Sequence, residues 1–406
     1  MHILLLHQLF IRTDDAGGTR HVEFCRHLAE AGHQVTILAG TRSYLTGEIV
    51  SAERREVLAP GIEIVRCGTL PGGQRNFVRR AIGFIYFTAT SLLAGVRLGR
   101  IDLVWATSPP LLQVASAWVL AGIRRAPWVF EVRDLWPAFA VAVGVLRHRL
   151  LIRLSEWLER FLYRRADRLI VNSPGFRDHL TAAGVDDDRI VLVANGVDPQ
   201  MFNPRDEGRD FRSRSGLGEK FVALYAGAHG LSNDLAVVLE AADLLKAEDD
   251  IVFVFVGDGG EKARLEQQAQ NRGLPNVVFL PPVPKDEIPS VLAGCDCGIA
   301  ILKPLPLYAT TYPNKVFDYM AAGRPVVLAI DGVIREVVEG EGAGVAVGPG
   351  NPQAMAQAVR RLARDRETAR AMGRRGRDAV ERRFDRRDQA RALEATFRQV
   401  AAEAAR

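Results

Sequence analysis

Three kinds of stretch in this chain put reactive side chains where an α/β sheet would present them. The longest is Thr310-Thr311-Tyr312-Pro313-Asn314-Lys315-Val316-Phe317-Asp318-Tyr319-Met320-Ala321-Ala322-Gly323. Pro313 and Asn314 can open a helix, because the first turn needs no partner for the N–H that proline lacks. The free N–H groups of that turn, together with Lys315 and with Val316 beside it, offer a site for a diphosphate. Asp318 follows three residues after Lys315, on about the same face and one turn further in. A carboxylate there can accept hydrogen bonds from two ribose hydroxyls. Apolar neighbours on both sides argue against a plain surface ion pair.

The second stretch is Glu131-Val132-Arg133-Asp134-Leu135-Trp136-Pro137, where an apolar run passes directly into Glu, Arg and Asp. Charges beside a core are costly unless paired or used. Arg133 and Asp134 are therefore candidates to orient a substrate hydroxyl, with a structural Arg133–Asp134 pair as the alternative. The third kind is glycine: Gly17-Gly18 early in the chain, then Gly227-Ala228-His229-Gly230 and Gly257-Asp258-Gly259-Gly260. Glycine lets backbone N–H groups approach a ligand closely. Gly17-Gly18 is not part of a G-x-G-x-x-G, so a dinucleotide fingerprint is absent. Each later cluster taken alone is also what any turn requires.

These loops need strands to carry them. Apolar runs read as buried parallel strands at Ile3 to His7, Gln34 to Leu38, Ile62 to Arg66, Leu103 to Ala106, Trp128 to Val132, Arg168 to Asn172 and Ile190 to Val193. Between the first two, Val22, Leu28 and Ala29 keep helical spacing and Gly32 supplies the stop. The alternation restarts with strands at Phe221 to Tyr225, Val252 to Val256, Val277 to Leu280, Cys297 to Ile301 and Pro325 to Ala329, separated by helical patterns. Two doubly wound α/β halves follow. Ligands of such sheets bind outside the carboxyl ends of the strands, so two halves facing one another would hold a site in the cleft between them. Asn203 to Gly218 carries Pro204 and three glycines without an apolar period, which puts the division at residues 1–203 and 204–385. Residues 386–406 form a last helix with Leu393, Phe397 and Val400 at helical spacing.

Composition bounds the reading. The chain has 406 residues, 48% hydrophobic and 25% charged, which excludes disorder, a collagen-like repeat and a disulfide miniprotein. The net charge is +5, and no run of like charges suggests a nucleic-acid partner. Through Gln200 there are 24 Lys and Arg against 19 Asp and Glu, so the whole excess lies in the first half. Cys25, Cys67, Cys295 and Cys297 lack zinc spacing and read as buried thiols of a reducing compartment. The start of the chain has no basic segment of a signal peptide. The apolar stretch between Arg80 and Arg97 falls short of the roughly 20 residues a spanning helix needs.

Nearly end to end, the chain resembles a bacterial glycosyltransferase of family 4. The likeness is carried by the Gly17-Gly18 loop, Val132 to Pro137 (VRDLWP), Val171 to Phe176 (VNSPGF), Ala194 to Asp198 (ANGVD) with Phe202, Leu224 to Gly230 (LYAGAHG), Phe255 to Gly260 (FVGDGG) and Pro313 to Val327 (PNKVFDYMAAGRPVV). Within the family it is most similar to the subgroup that adds N-acetylated amino sugars, such as N-acetyl-fucosamine, during surface polysaccharide assembly.

The resemblance implies a GT-B fold: two Rossmann-like domains facing across a cleft, donor in the second, acceptor in the first, with the C-terminal helix crossing back. It also implies retaining transfer from a nucleotide diphosphate sugar without a metal or other cofactor, UDP being expected ahead of GDP. Implied donor contacts are Gly17, Gly18, Gly227, His229, Gly230, Gly257, Asp258, Gly259, Thr310, Asn314, Lys315, Val316 and Asp318. Arg133, Asp134 and Lys315 are the implied catalytic set. Members commonly carry two Glu eight positions apart. Here the second is Asp318 and the first is Thr310, which is not acidic. Where members often place Arg and Lys, this chain has His229 to Asn233, leaving charge compensation to Lys315. Many members have a His where Arg133 stands.

The expected acceptor is a glycan or a polyprenyl-diphosphate-linked sugar. Arg75, Arg79, Arg80, Arg97 and Arg100 flank one apolar segment, and Arg147, Arg149 and Arg153 lead into another, Ser155 to Arg165. Such segments can lie on an anionic membrane, so a cytoplasmic protein resting on the inner face of the membrane is expected. Two rivals stay open: a nucleotide-sugar epimerase, for which no carboxylate pair is placed by motif, and a sugar-nucleotide scaffold, which Thr310 keeps alive.

Overall fold

The computed structural model describes residues 1–12, 17–42, 49, 51, 53–70 and 77–406, without the side chains of 77–81. Thr13 to Ala16, Arg75 and the side chains of Arg79 and Arg80 lie outside that description. The chain divides into two compact units: Met1–Arg12 with Thr19–Ala194 and Arg387–Arg406, and Asn195–Arg386, with which Gly17 and Gly18 also group.

The first unit is built on eight strands: β1 (His2–Leu6), β2 (Gln34–Gly40), β3 (Arg55–Ala59), β4 (Ile62–Cys67), β5 (Leu103–Ser108), β6 (Trp128–Val132), β7 (Arg168–Val171) and β8 (Ile190–Leu192). Their order is β3-β4-β2-β1-β5-β6-β7-β8. All neighbours run parallel except β3, which is antiparallel to β4. Strands β5 and β6 are buried at every position, because helices cover both faces. One face carries the helix Arg20–Glu30 and the C-terminal helix Arg386–Ala404, whose Phe397 ring lies 5.3 Å from that of Trp105. On the other face, the helix Leu111–Arg124 packs against both Phe77–Val96 and Arg149–Arg165. The edge strand β3 is not legible in the sequence. It is short, and Val57, its central apolar residue, is 80% exposed.

The second unit has β9 (Phe221–Ala226), β10 (Ile251–Val256), β11 (Val277–Leu280), β12 (Cys297–Ile301), β13 (Val326–Ala329) and β14 (Gly344–Ala346), all parallel, in the order β11-β10-β9-β12-β13-β14. It starts at Asn195 rather than at 204. Val197 and Phe202 are buried in its core with Phe317 and Phe384, and Val197 forms a parallel bridge with Asp385. The sequence boundary followed the loss of an apolar period, and two isolated anchors leave no period. All four cysteines are free and buried.

Candidate functional site

In the second unit, β9 and β10 lie side by side and both end in glycine turns that interlock. Gly227 N donates to Val256 O (2.9 Å), His229 N to Asp258 O (2.8 Å) and Glu261 N to His229 O (2.9 Å). Gly257 has φ +148°, and a Cβ there would meet Gly227 O at 2.0 Å. At Gly259, φ +155°, a Cβ would meet His229 O at 2.5 Å. Only glycine fits either place. Asp258 is exposed, and its Oδ1 accepts from Gly259 N at 2.8 Å. Gly230 follows as the backbone turns toward Asn233, whose Nδ2 donates to Ala228 O at 2.9 Å.

Lys315 stands over these turns. It is the second residue of the helix Asn314–Ala321, and its Nζ lies 3.8 Å from the centre of the Tyr225 ring. A Cβ on Gly227 would come within 3.1 Å of that Nζ, so the glycine clears the ammonium's place. Among the described residues no carboxylate is within ion-pair distance of it. Burial pushes its pKa down to about 7, against the opposing pull of Asp318. A cation without a counter-ion, beside a helix N-terminus and two glycine turns, suits an anionic ligand.

Other expected donor contacts are changed. Asp318 is not free: its Oδ1 is 2.7 Å from the Nζ of Lys285, a buried lysine beyond β11. The His229 ring is wholly buried among Tyr225, Phe255 and Phe279, and neither ring nitrogen has a hydrogen-bond partner. Burial, with Lys262 and Lys315 adding to it, holds its pKa down to about 4, so the ring is neutral. Val316 is buried, and its N–H donates to Pro313 O (3.1 Å), leaving no free donor there. Thr310 donates its hydroxyl proton to Leu307 O (2.7 Å), so toward a ligand the oxygen is an acceptor. Asn314 has a buried Oδ1 without a partner, and its Nδ2 would meet a Cβ on Gly18 at 3.8 Å. Gly17 has φ +141°, which also favours glycine.

In the first unit, Arg133 and Asp134 follow β6. Arg133 donates through Nε to Thr107 Oγ1 (2.6 Å), and its Nη2 lies 3.3 Å from His7 Nε2. Asp134 is exposed, and no cation among the described residues is within ion-pair distance of it, so the Arg133–Asp134 pair does not form. The structural network belongs to Glu131, which is fully buried. It accepts from Arg20 Nε and His21 Nε2, both at 2.8 Å. Arg20 also donates to Val193 O (2.6 Å) and Ala194 O (2.8 Å), holding the end of β8. Burial alone would raise the Glu131 carboxyl, but His21 and Arg20 hold it well below the usual range. Burial takes His21 down to about 4 despite Glu131. The His7 ring lies 4.3 Å from that of His21, tilted by 53°; it is likewise held neutral by burial and has an Nδ1 without a partner.

Sequence reasoning missed Lys285, Arg20, His21 and Tyr225, and it marked Glu131 as a charge beside the core without finding its partners. Lys285 stands in a charged run with Asp286 and Glu287, and Arg20 beside polar Thr19 and His21, so neither is marked out locally; their partners lie 33 and 111 residues away.

Comparison with known proteins follows the same division. Residues 16–196 match the glycosyl transferase 4-like domain, and residues 208–379 match the glycosyl transferases group 1. The chain is 26% identical over 320 residues to WcaI of Escherichia coli (strain K12), assigned as a glycosyl transferase of colanic acid biosynthesis. That match covers 76% of this chain and 78% of WcaI. Among solved structures, sucrose-phosphate synthase from Thermosynechococcus elongatus superposes with a TM-score of 0.82 at 19% identity, over 99% of both chains. Anabaena HepE, in complex with UDP and glucose, gives 0.75 at 19% identity, over 98% of this chain and 100% of that one. With both halves matched in order and the GT-B fold along its length, this chain belongs to the group 1 glycosyltransferases, a family in which its relatives include proteins of surface polysaccharide synthesis.

Proposed function

We propose that the protein is a retaining, metal-independent glycosyltransferase that takes an N-acetylated amino sugar from a UDP-sugar to a glycan or polyprenyl-diphosphate-linked acceptor. The observation that carries the donor part is Lys315. It is a partly buried cation with no counter-ion among the described residues, set over Tyr225 beside Gly227 and the first turn of Asn314–Ala321. Its depressed pKa means that a bound diphosphate would supply the charge it lacks. UDP is favoured over GDP because HepE, similar in fold, is described with UDP. The N-acetylated sugar rests on the likeness of the motif set to that subgroup.

In the proposed reaction the bond between the anomeric carbon and the diphosphate oxygen breaks as the acceptor oxygen bonds to the same face of that carbon. The acceptor's proton passes to an oxygen of the leaving diphosphate. Lys315 and the helix N-terminus stabilise the charge that develops there. Arg133, held by Thr107, and the exposed Asp134 orient the acceptor hydroxyl.

A thermal-shift series with UDP, GDP and ADP tests the donor assignment, since a ligand of the folded state raises its melting point. UDP should give the largest rise, and incubation with UDP-sugars should slowly release UDP. A larger rise with GDP would overturn the base assignment. Binding without any release would favour the scaffold, and a changed sugar on intact nucleotide the epimerase.

A further inference from the structure

Nine of the eighteen large apolar side chains exposed among the described residues lie on two helices, Phe77–Val96 and Arg149–Arg165, so the exposure is concentrated rather than scattered. Both helices pack against Leu111–Arg124 on one face of the first unit's sheet. On the second of them, Leu150, Leu154 and Trp157 are 58%, 52% and 59% exposed and recur at i, i+4 and i+7, one continuous stripe. Arg149, Arg153, Arg160 and Arg164 are exposed along the adjoining stripe, and no carboxylate among the described residues pairs with them. Of this helix's two carboxylates, Glu159 is buried and accepts from Tyr163 OH at 2.8 Å, and Glu156 is half-buried. The helix Phe77–Val96 adds Ile82, Ile85 and Leu93, with Arg97 just beyond its end.

No described helix is long and apolar enough to cross a membrane. A stripe of apolar side chains bordered by unpaired arginines is instead the arrangement that lies in an interface. A second copy would set arginine against arginine, and a nucleic acid would leave the leucines and Trp157 uncovered. We propose that this face seats the protein on an anionic lipid bilayer, the apolar side chains entering the boundary of headgroups and acyl chains and the arginines meeting lipid phosphates. Its purpose rests on the lipid-linked acceptor reading, but its test needs no turnover.

The full chain is sedimented with vesicles of phosphatidylglycerol and phosphatidylcholine, and with phosphatidylcholine alone. Binding is expected to the anionic vesicles only. Arg149→Gln/Arg153→Gln/Arg160→Gln should weaken it about 10²-fold, each basic residue near the surface contributing about 1 kcal/mol. Leu150→Ser/Leu154→Ser/Trp157→Ser should abolish most of it. The UDP-induced thermal shift should persist in both variants, which shows that they fold. Absence of binding by the wild type, variants that bind like it, or a dimer in solution broken by the serine variant would overturn the proposal. Loss of the UDP response with vesicle binding intact would count against the donor reading alone.

Discussion

Lys285 Nζ lies 2.7 Å from Asp318 Oδ1, so the carboxylate that we propose receives ribose is already oriented by a cation from the loop beyond β11. Aspartate is one methylene shorter than the glutamate common at this place, and the lysine fixes where its second oxygen points. Lys285→Met and Asp318→Asn should each raise the dissociation constant for UDP about tenfold, or about 1.4 kcal/mol. Residues joined in one pair act together, so the double variant should cost little more than either single one. Fully additive losses would remove the pair from nucleotide binding.

His229 is expected to be core filling despite its place in the motif. Exchanging His229→Phe removes two buried nitrogens that lack partners, and such a change is nearly neutral when shape is kept. His229→Asp, which buries a charge, should unfold the second unit. A His229→Phe protein that melts normally but binds UDP a hundredfold more weakly would make the ring a ligand.

The buried histidines set an acid limit on stability. His21 and His229 have folded values of about 4 against an ordinary 6.5, so the unfolded chain takes up protons first as pH falls. Their stabilising effect is complete above 6.5 and is lost as pH falls toward 4. Each should cost about 1.4 kcal/mol per pH unit inside that window. Urea midpoints measured from pH 7.5 to 4.5 check this, and a flat profile would contradict it.

Glu131 and Asp134 should separate stability from activity. Glu131→Gln removes the buried charge that Arg20 and His21 share and should cost about 3–5 kcal/mol of stability. Asp134→Asn changes an exposed side chain with no ion pair and should move stability by under about 0.5 kcal/mol while slowing transfer. Equal melting losses in the two variants would overturn this division, and a sugar trapped covalently on Asp134 would overturn the same-face reaction.

The sequence made the repeated strand–helix alternation legible, because parallel strands covered on both faces read as unbroken apolar runs. It also made the glycine turns and Lys315 legible, since each depends on local backbone and one helix start. What escaped was pairing across distance. Glu131 meets Arg20 and His21 only when β6 lies beside the helix that follows β1, and Lys285 meets Asp318 only when the loop beyond β11 reaches the helix Asn314–Ala321. His229 looked like a ligand because its motif ends at a strand's carboxyl edge, and only the rings of Phe255 and Phe279 reveal that it turns inward. Thr310 in place of a carboxylate was plain in the sequence, whereas the direction of its hydroxyl, toward Leu307, was not.

Lys315 is the residue that we propose grips the donor's diphosphate. Free, its pKa is about 7, so at pH 8 most of it is neutral, and a bound diphosphate should recharge it. Calorimetry of UDP binding at pH 8, in two buffers of different ionisation heat, should therefore show uptake of about one proton. Lys315→Met should abolish that uptake and lower transfer about 10²–10³-fold. Wild-type binding without proton uptake, together with near-normal transfer by Lys315→Met, would contradict the account.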